Sequence, residues 1–112
     1  MSLQFTHIKG DTFDEVAFQL NINDAAVNLT GATIRMQLRK NYSDTAAALS
    51  LTSVSSAGIT ITNAAAGQFK INTQIIDIPV YNYVYDIQIN MTGNVVKTWL
   101  GGTFTVIDTV TT

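Results

Sequence analysis

Residues 83–106, YVYDIQINMTGNVVKTWLGGTFTV, alternate apolar and polar side chains on both sides of Gly93-Asn94. Alternation with a period of two is the pattern of a strand buried on one face only. Gly-Asn between two such runs predicts a two-residue hairpin turn, because glycine takes the positive φ that a type II′ turn needs first. That turn sets a register. Thr92 faces Val95, Met91 faces Val96, Asn90 faces Lys97, Ile89 faces Thr98, Gln88 faces Trp99 and Ile87 faces Leu100. One face then carries Tyr83, Tyr85, Ile87, Ile89, Met91, Val96 and Leu100. The other carries Val84, Asp86, Gln88, Asn90, Val95, Lys97 and Trp99. A slip of one residue would turn Asp86 and Lys97 inward, so the pairing is expected to be firmly held. The apolar face needs a second layer, which the rest of the chain must supply.

Further strands are expected along the chain. Leu3 and Phe5 alternate with Gln4 and Thr6 up to Lys9, and Gly10-Asp11 punctuates. Over 13–21, Val16, Phe18 and Leu20 share one face, and Asn23-Asp24 predicts a corner before a brief edge at Ala26 and Val27. The clearest central strand has Ala32, Ile34, Met36 and Leu38 inward and Thr33, Arg35, Gln37 and Arg39 outward. Residues 40–45 end it, and 48–52 read as a short strand after a loop. Ile59 and Ile61 alternate with Thr60 and Thr62, and Phe69 and Ile71 point inward over 68–74. Residues 75–82 hold Pro79 and form a crossover whose Ile76, Ile78, Val80 and Tyr81 are expected to plug one end of the core. No segment has the length and pattern of a helix. Some seven to nine short strands predict an all-β fold, an antiparallel β-sandwich formed by residues 1–112 as one domain, with a jelly roll or small barrel as the alternative.

Composition narrows the function. The chain has 112 residues, enough for a core of its own. Charged residues make up 12%, against roughly 25% in an average domain. Low charge gives little protection against association and suits a subunit of an assembly. A net charge of −2 argues against a nucleic-acid backbone binder. The absence of cysteine removes disulfides and thiolate metal sites. Gln4, Thr6, His7 and Lys9 interrupt what would be the apolar core of a signal peptide. No apolar run has the ~20 residues of a membrane span.

Catalytic patterns are not found. The single histidine, His7, reads as a surface residue on a strand. There is no serine elbow, and Gly101-Gly102 lacks the following helix that phosphate binding uses. The acidic residues are scattered, and the groups at Asp11, Asp14, Glu15 and at Asn21, Asn23, Asp24 lack calcium-loop spacing, so turn capping is the better reading. No cofactor or metal is expected. Arg35, Arg39 and Lys40 read as a solvated sheet face, or as partners of Asp86. The three Asn-x-Ser/Thr triplets at Asn28, Asn41 and Asn90 carry no weight in a chain this rich in Asn and Thr. Trp99 falls on the outward face, where leaving it in water forgoes roughly 1.5–3 kcal/mol. Because Trp is enriched at interface hot spots, the expected contact surface is Trp99, Gln88, Val95, Lys97, Arg35 and Arg39.

Four segments in order carry a resemblance: Lys9-Gly10-Asp11-Thr12; Asn28-Leu29-Thr30-Gly31-Ala32-Thr33-Ile34; Tyr83-Val84-Tyr85-Asp86-Ile87; and Gly102-Thr103-Phe104-Thr105-Val106 with Val110-Thr111 behind it. Together they span nearly the whole chain, which resembles the immunoglobulin-like N-terminal domain family of upper baseplate proteins in tailed phages and prophages. The family usually has Asp at the position of Asn28. Its members often continue into a fibre-attachment region, so the chain resembles the bare docking domain, either as a small virion subunit or as part of a longer protein.

The resemblance implies an immunoglobulin-like sandwich and a non-enzymatic structural role in the virion. The chain is expected in the tail or baseplate, made in the host cytoplasm without a signal peptide. Its expected partners are other phage structural proteins and further copies of itself, with no nucleic acid and no membrane. A capsid decoration or fibre-base protein is the nearest alternative. A carbohydrate-binding module, stacking sugars on Trp99, Tyr81 and Tyr42, is the alternative from another class; a glycan receptor is not the favoured partner.

Overall fold

The computed structural model describes residues 3–91 and 95–108. In chain order its strands are β1 (Phe5–Ile8), β2 (Thr12–Phe13), β3 (Val16–Gln19), β4 (Asn21–Ile22), β5 (Ala25–Ala26), β6 (Thr33–Arg39), β7 (Leu49–Thr52), β8 (Ile59–Asn63), β9 (Gln68–Ile71), β10 (Gln74–Ile75), β11 (Tyr81–Met91) and β12 (Val95–Ile107). A 3-10 turn, Val54–Ser56, follows β7. Eight of these strands have four residues or more, and the remaining four are two-residue pairings.

Two sheets make the sandwich. One has the order β1-β12-β11-β6-β7, and the other β3-β9-β8. Taking β3, β6, β7, β8, β9, β11 and β12 as B, C, C′, D, E, F and G gives G-F-C-C′ against B-E-D. That is the strand order of an immunoglobulin sandwich. Its longest strands, β11 and β12, have 11 and 13 residues.

One strand departs from the expected antiparallel pattern. β1 joins the edge of β12 in parallel, with Phe5 beside Phe104 and His7 beside Val106. The chain then crosses to the second sheet. There the expected strand over 13–21 is broken at Asp14-Glu15, and its partner is broken at Asn72-Thr73. Phe13 opposite Gln74 and Val16 opposite Ile71 nevertheless keep one register across the gap. Glu15 N–H donates to the Thr73 hydroxyl at 3.1 Å where the ladder lapses.

The core is filled by the predicted inward phases. Ile34, Met36 and Leu38 of β6 and Tyr83, Tyr85, Ile87 and Ile89 of β11 are buried against Phe69, Ile71 and Ile59 of the second sheet. Each such aliphatic side chain contributes roughly 1.5–3 kcal/mol by leaving water. Phe5, Phe13, Phe104 and Tyr85 cluster with ring centroids 5.5–5.9 Å apart. Asn23 and Asp24, at φ 52° and 63°, make the corner between β4 and β5. Positive φ at both central residues is the type I′ hairpin turn.

The two core tyrosines each bury a ring and satisfy a hydroxyl. Tyr83 donates to the Pro79 carbonyl four residues upstream, at 2.6 Å. A tyrosine near the start of F bonded back to the preceding corner is a recurring feature of immunoglobulin-like sandwiches. Tyr85 donates to the Leu3 carbonyl at 2.5 Å. Gly102 makes that possible: a Cβ there would lie 2.3 Å from the same carbonyl oxygen. Leu3 N–H in turn donates to Gly101, so the glycine pair is a dock for the start of the chain.

Several expectations are corrected. His7 is buried, 6% exposed, between Phe13 and Phe104, and donates from Nε2 to the Ile76 carbonyl at 3.2 Å. It shares the inward phase of Phe5, and its Nε2 bond supplies a partner that a buried polar group needs. Of the crossover residues only Ile76 is fully buried; Ile78 is half-buried, and Val80 and Tyr81 are exposed.

The hairpin register holds from Tyr81–Val106 to Ile87–Leu100 and then shifts by one. Gln88 faces Thr98, Ile89 faces Lys97, Asn90 faces Val96 and Met91 faces Val95. Trp99 is the extra residue of a β-bulge. The bulge turns Val96 to the outer phase, where it is 55% exposed, and gives Val95 and Lys97 the inner phase without burying either. Trp99 itself is half-buried and packs against the core instead of standing free on the outer face. The predicted turn at Gly93-Asn94 lies outside the described residues.

Candidate functional site

The outer face of the five-stranded sheet is built by the outward phases of β6 and β11. Arg35, Gln37 and Arg39 lie opposite Gln88, Asp86 and Val84 respectively. On the far side of β11, Asp86 pairs with Gly101, which contributes no side chain. The result is a shallow depression of about 230 Å³ lined by Arg35, Gln37, Arg39, Val84, Asp86, Gln88 and Tyr42.

The arginines do not pair with Asp86. Arg35 donates from Nη2 to Gln88 Oε1 at 2.8 Å. Arg39 donates from Nη2 to Gln37 Oε1 and from Nη1 to the Asp44 carbonyl, both at 2.6 Å. Two glutamines therefore orient two guanidinium planes. The ion pairs among the described residues lie elsewhere, at Lys9–Asp77 and Lys70–Glu15. The Asp77 carboxylate beside Lys9, by hydrogen bond first and charge second, holds that ammonium's pKa above its ordinary value.

Tyr42 enters from the loop after β6. Asp44 N–H donates to the Asn41 carbonyl at 3.1 Å, and Asn41 N–H donates to Asp44 Oδ2 at 3.2 Å. The reciprocal pair closes a tight turn with Tyr42 at its second position, and Arg39 clamps that turn through Asp44. The ring is held out at 72% exposure. Nearby, Lys40 Nζ lies 5.2 Å from the centroid of the Tyr81 ring.

The six residues expected to form one contact surface fall into two groups. Arg35, Arg39 and Gln88 come together in the depression. Val95 and Lys97 lie on the distal arm of β12, with Val95 46% exposed beside Val96. Trp99 belongs to neither, because the bulge turns it against the core. Nor do the three aromatics proposed as a sugar platform assemble. Trp99 and Val106, the partner of Tyr81, are seven positions apart along β12, roughly 23 Å at ~3.3 Å per residue. Gln37 and Asp86 had the outward phase in the sequence; Tyr42 had no periodicity to place it.

The distal arm is an open edge. β12 between Val95 and Leu100 has β11 on one side and no strand on the other among the described residues, because β1 joins only beyond the glycine pair. A bulge and an edge lysine both discourage another chain from adding a strand there. What the arm offers is side chains, two exposed valines and Lys97.

No metal could be held by a cluster of three or more His, Cys, Asp or Glu among the described residues, since none is present. No helix among them is long and apolar enough to cross a membrane. Comparison with protein-family models, curated proteins and solved structures finds no match to this chain.

Proposed function

We propose that this chain is a non-enzymatic structural subunit of a bacteriophage virion, an immunoglobulin-like module of the tail or baseplate that docks neighbouring subunits or fibres. The observation that carries the reading is where the four resembling segments meet. Asn28–Ile34 leads into β6, Tyr83–Ile87 forms the first half of β11, and Gly102–Val106 lies beside it in β12. Lys9–Thr12 turns off the end of β1, where Lys9 N–H donates to the Ile107 carbonyl at 2.8 Å. Three of the four thus lie in or lead into one sheet, where Ile34, Tyr83, Tyr85, Ile87, Phe104 and Val106 are buried, and the exposed fourth turns from its edge strand toward β2.

Each segment has a physical role in that sheet. Asn28 Oδ1 accepts from both the backbone N–H and the hydroxyl of Thr30, at 2.9 and 2.6 Å, closing the turn into β6. An Asp would cap the same turn. Leu29 is buried beneath it. The docking surface is assigned to the distal arm, where Val95, Val96 and Lys97 are exposed past the bulge. Val95 and Val96 point to opposite faces of the arm, so a neighbour seated on either face desolvates one valine, a contact that individual subunits hold weakly and many copies hold together.

Mass spectrometry of purified particles tests the reading. The protein should be present in several copies per particle, and its absence from particles would overturn the proposal. Electron microscopy of the same particles then separates a tail or baseplate position from a head decoration.

A further inference from the structure

We propose that the depression on the outer sheet face is a binding site for an acidic sugar unit. The ring would stack on Tyr42, its hydroxyls would donate to Asp86, and its carboxylate would be held by Arg35 and Arg39. This inference is independent of the virion reading.

Asp86 is the starting point. It is half-buried at the floor of the depression, and its side chain makes no hydrogen bond or ion pair among the described residues. An ionised carboxylate has about four acceptor positions and no donor. On one side it meets Gly101, which leaves space; on the other it meets Gln37, whose Oε1 accepts from Arg39 and whose amide nitrogen makes no bond to Asp86. A ligand that fills this place must bring donors.

The rim asks for the opposite. Arg35 and Arg39 are aligned by Gln88 and Gln37, and each guanidinium, with five N–H donors, keeps N–H groups beyond those bonds. Lys9 and Lys70 are neutralised in ion pairs. The two arginines are not, so this face carries local positive charge on a chain whose net charge is −2. A rim that donates around a floor that accepts fits a ligand with hydroxyl donors and an anionic group together. An acidic peptide side chain could pair with the arginines but carries no donor of its own for Asp86. A basic one would meet both arginines. A sugar acid satisfies both parts.

Tyr42 supplies the apolar element. An exposed ring on a turn braced by Asn41, Asp44 and Arg39 is pre-organised to receive the C–H face of a pyranose. At about 230 Å³ the depression is below the roughly 300–1,000 Å³ of sites for drug-sized ligands, which suits one monosaccharide unit. A site this open holds one sugar unit weakly and depends on multiple copies for avidity.

The test is a titration of the full chain, followed by amide NMR, with glucuronate, galacturonate and N-acetylneuraminate as probes, and glucose and acetate as controls. At least one acidic sugar should shift the amides of Arg35, Arg39, Tyr42 and Asp86. Glucose and acetate should each bind roughly tenfold more weakly. Tyr42→Ala and Asp86→Ala, with dispersed spectra as evidence of folding, should each weaken the acidic sugar by a similar factor, and added salt should weaken it further. Four results would overturn the proposal: no shift with any acidic sugar, shifts confined to another surface, acetate or glucose equalling the acidic sugars, or binding unchanged in both variants.

Discussion

Tyr85 shows how one residue couples the core to the chain's first strand. Its ring fills the aromatic cluster while its hydroxyl donates to Leu3 across 82 residues of sequence. Tyr85→Phe keeps the ring and strands the carbonyl, so it should cost about 1 kcal/mol in urea denaturation. Burial pushes the Tyr85 phenol up to about 12, from an ordinary 10.0. Burial raises Tyr83 as well. Folding therefore favours the protonated phenols. That contribution is whole below pH 10 and is lost as pH rises through about 12. A stability profile should fall along that alkaline limb, and Tyr85→Phe should make the fall shallower. Gly102→Ala tests the same dock from the other side. A Cβ 2.3 Å from the Leu3 carbonyl must displace the strand, at a cost of roughly 1–3 kcal/mol. Faster hydrogen exchange at the Leu3 amide would report it; unchanged exchange would contradict the docking role.

At the scale of elements, the bulge in β12 decides what the hairpin presents. A register without it would set Trp99 outward beside Gln88, where truncation usually changes stability by no more than about 0.5 kcal/mol. Because the bulge packs Trp99 against the core, Trp99→Ala should cost about 1–3 kcal/mol, short of the roughly 3–5 of a fully buried aromatic. A loss below the lower figure in chemical denaturation would return Trp99 to the surface. Alternation made β6, β9, the start of β8 and the first half of the hairpin legible, since each buries one face in phase, whereas β8 shifts register between Ile61 and Asn63. The bulge was not legible, because inserting one residue leaves the alternation before and after it intact. The parallel pairing of β1 was also hidden: nothing local in Phe5–Ile8 says which distant edge it joins. His7 was misread from its residue type, although its phase with Phe5 pointed inward. Of the depression, the sheet residues were readable from phase, whereas Tyr42 depends on a turn held by side-chain bonds.

For the whole molecule, sheet order assigns one surface to each task. The inner faces of G-F-C-C′ and B-E-D close over the core, and the outer face of the larger sheet carries the depression. The distal arm of β12 stands past the edge that β1 covers. Val95 and Val96 contribute little to the fold, so the double change Val95→Glu, Val96→Glu should leave monomer stability within about 1 kcal/mol. It should instead oppose any apolar contact the arm makes, because a desolvated unpaired carboxylate is costly. The central claim, that this sandwich is an assembly module docking through that arm, is tested most directly by incorporation into particles. Particles assembled with the wild-type chain and with the double variant are purified and the subunit is quantified in each. The wild type should be present and the folded variant severely depleted; equal incorporation of the two would contradict the account.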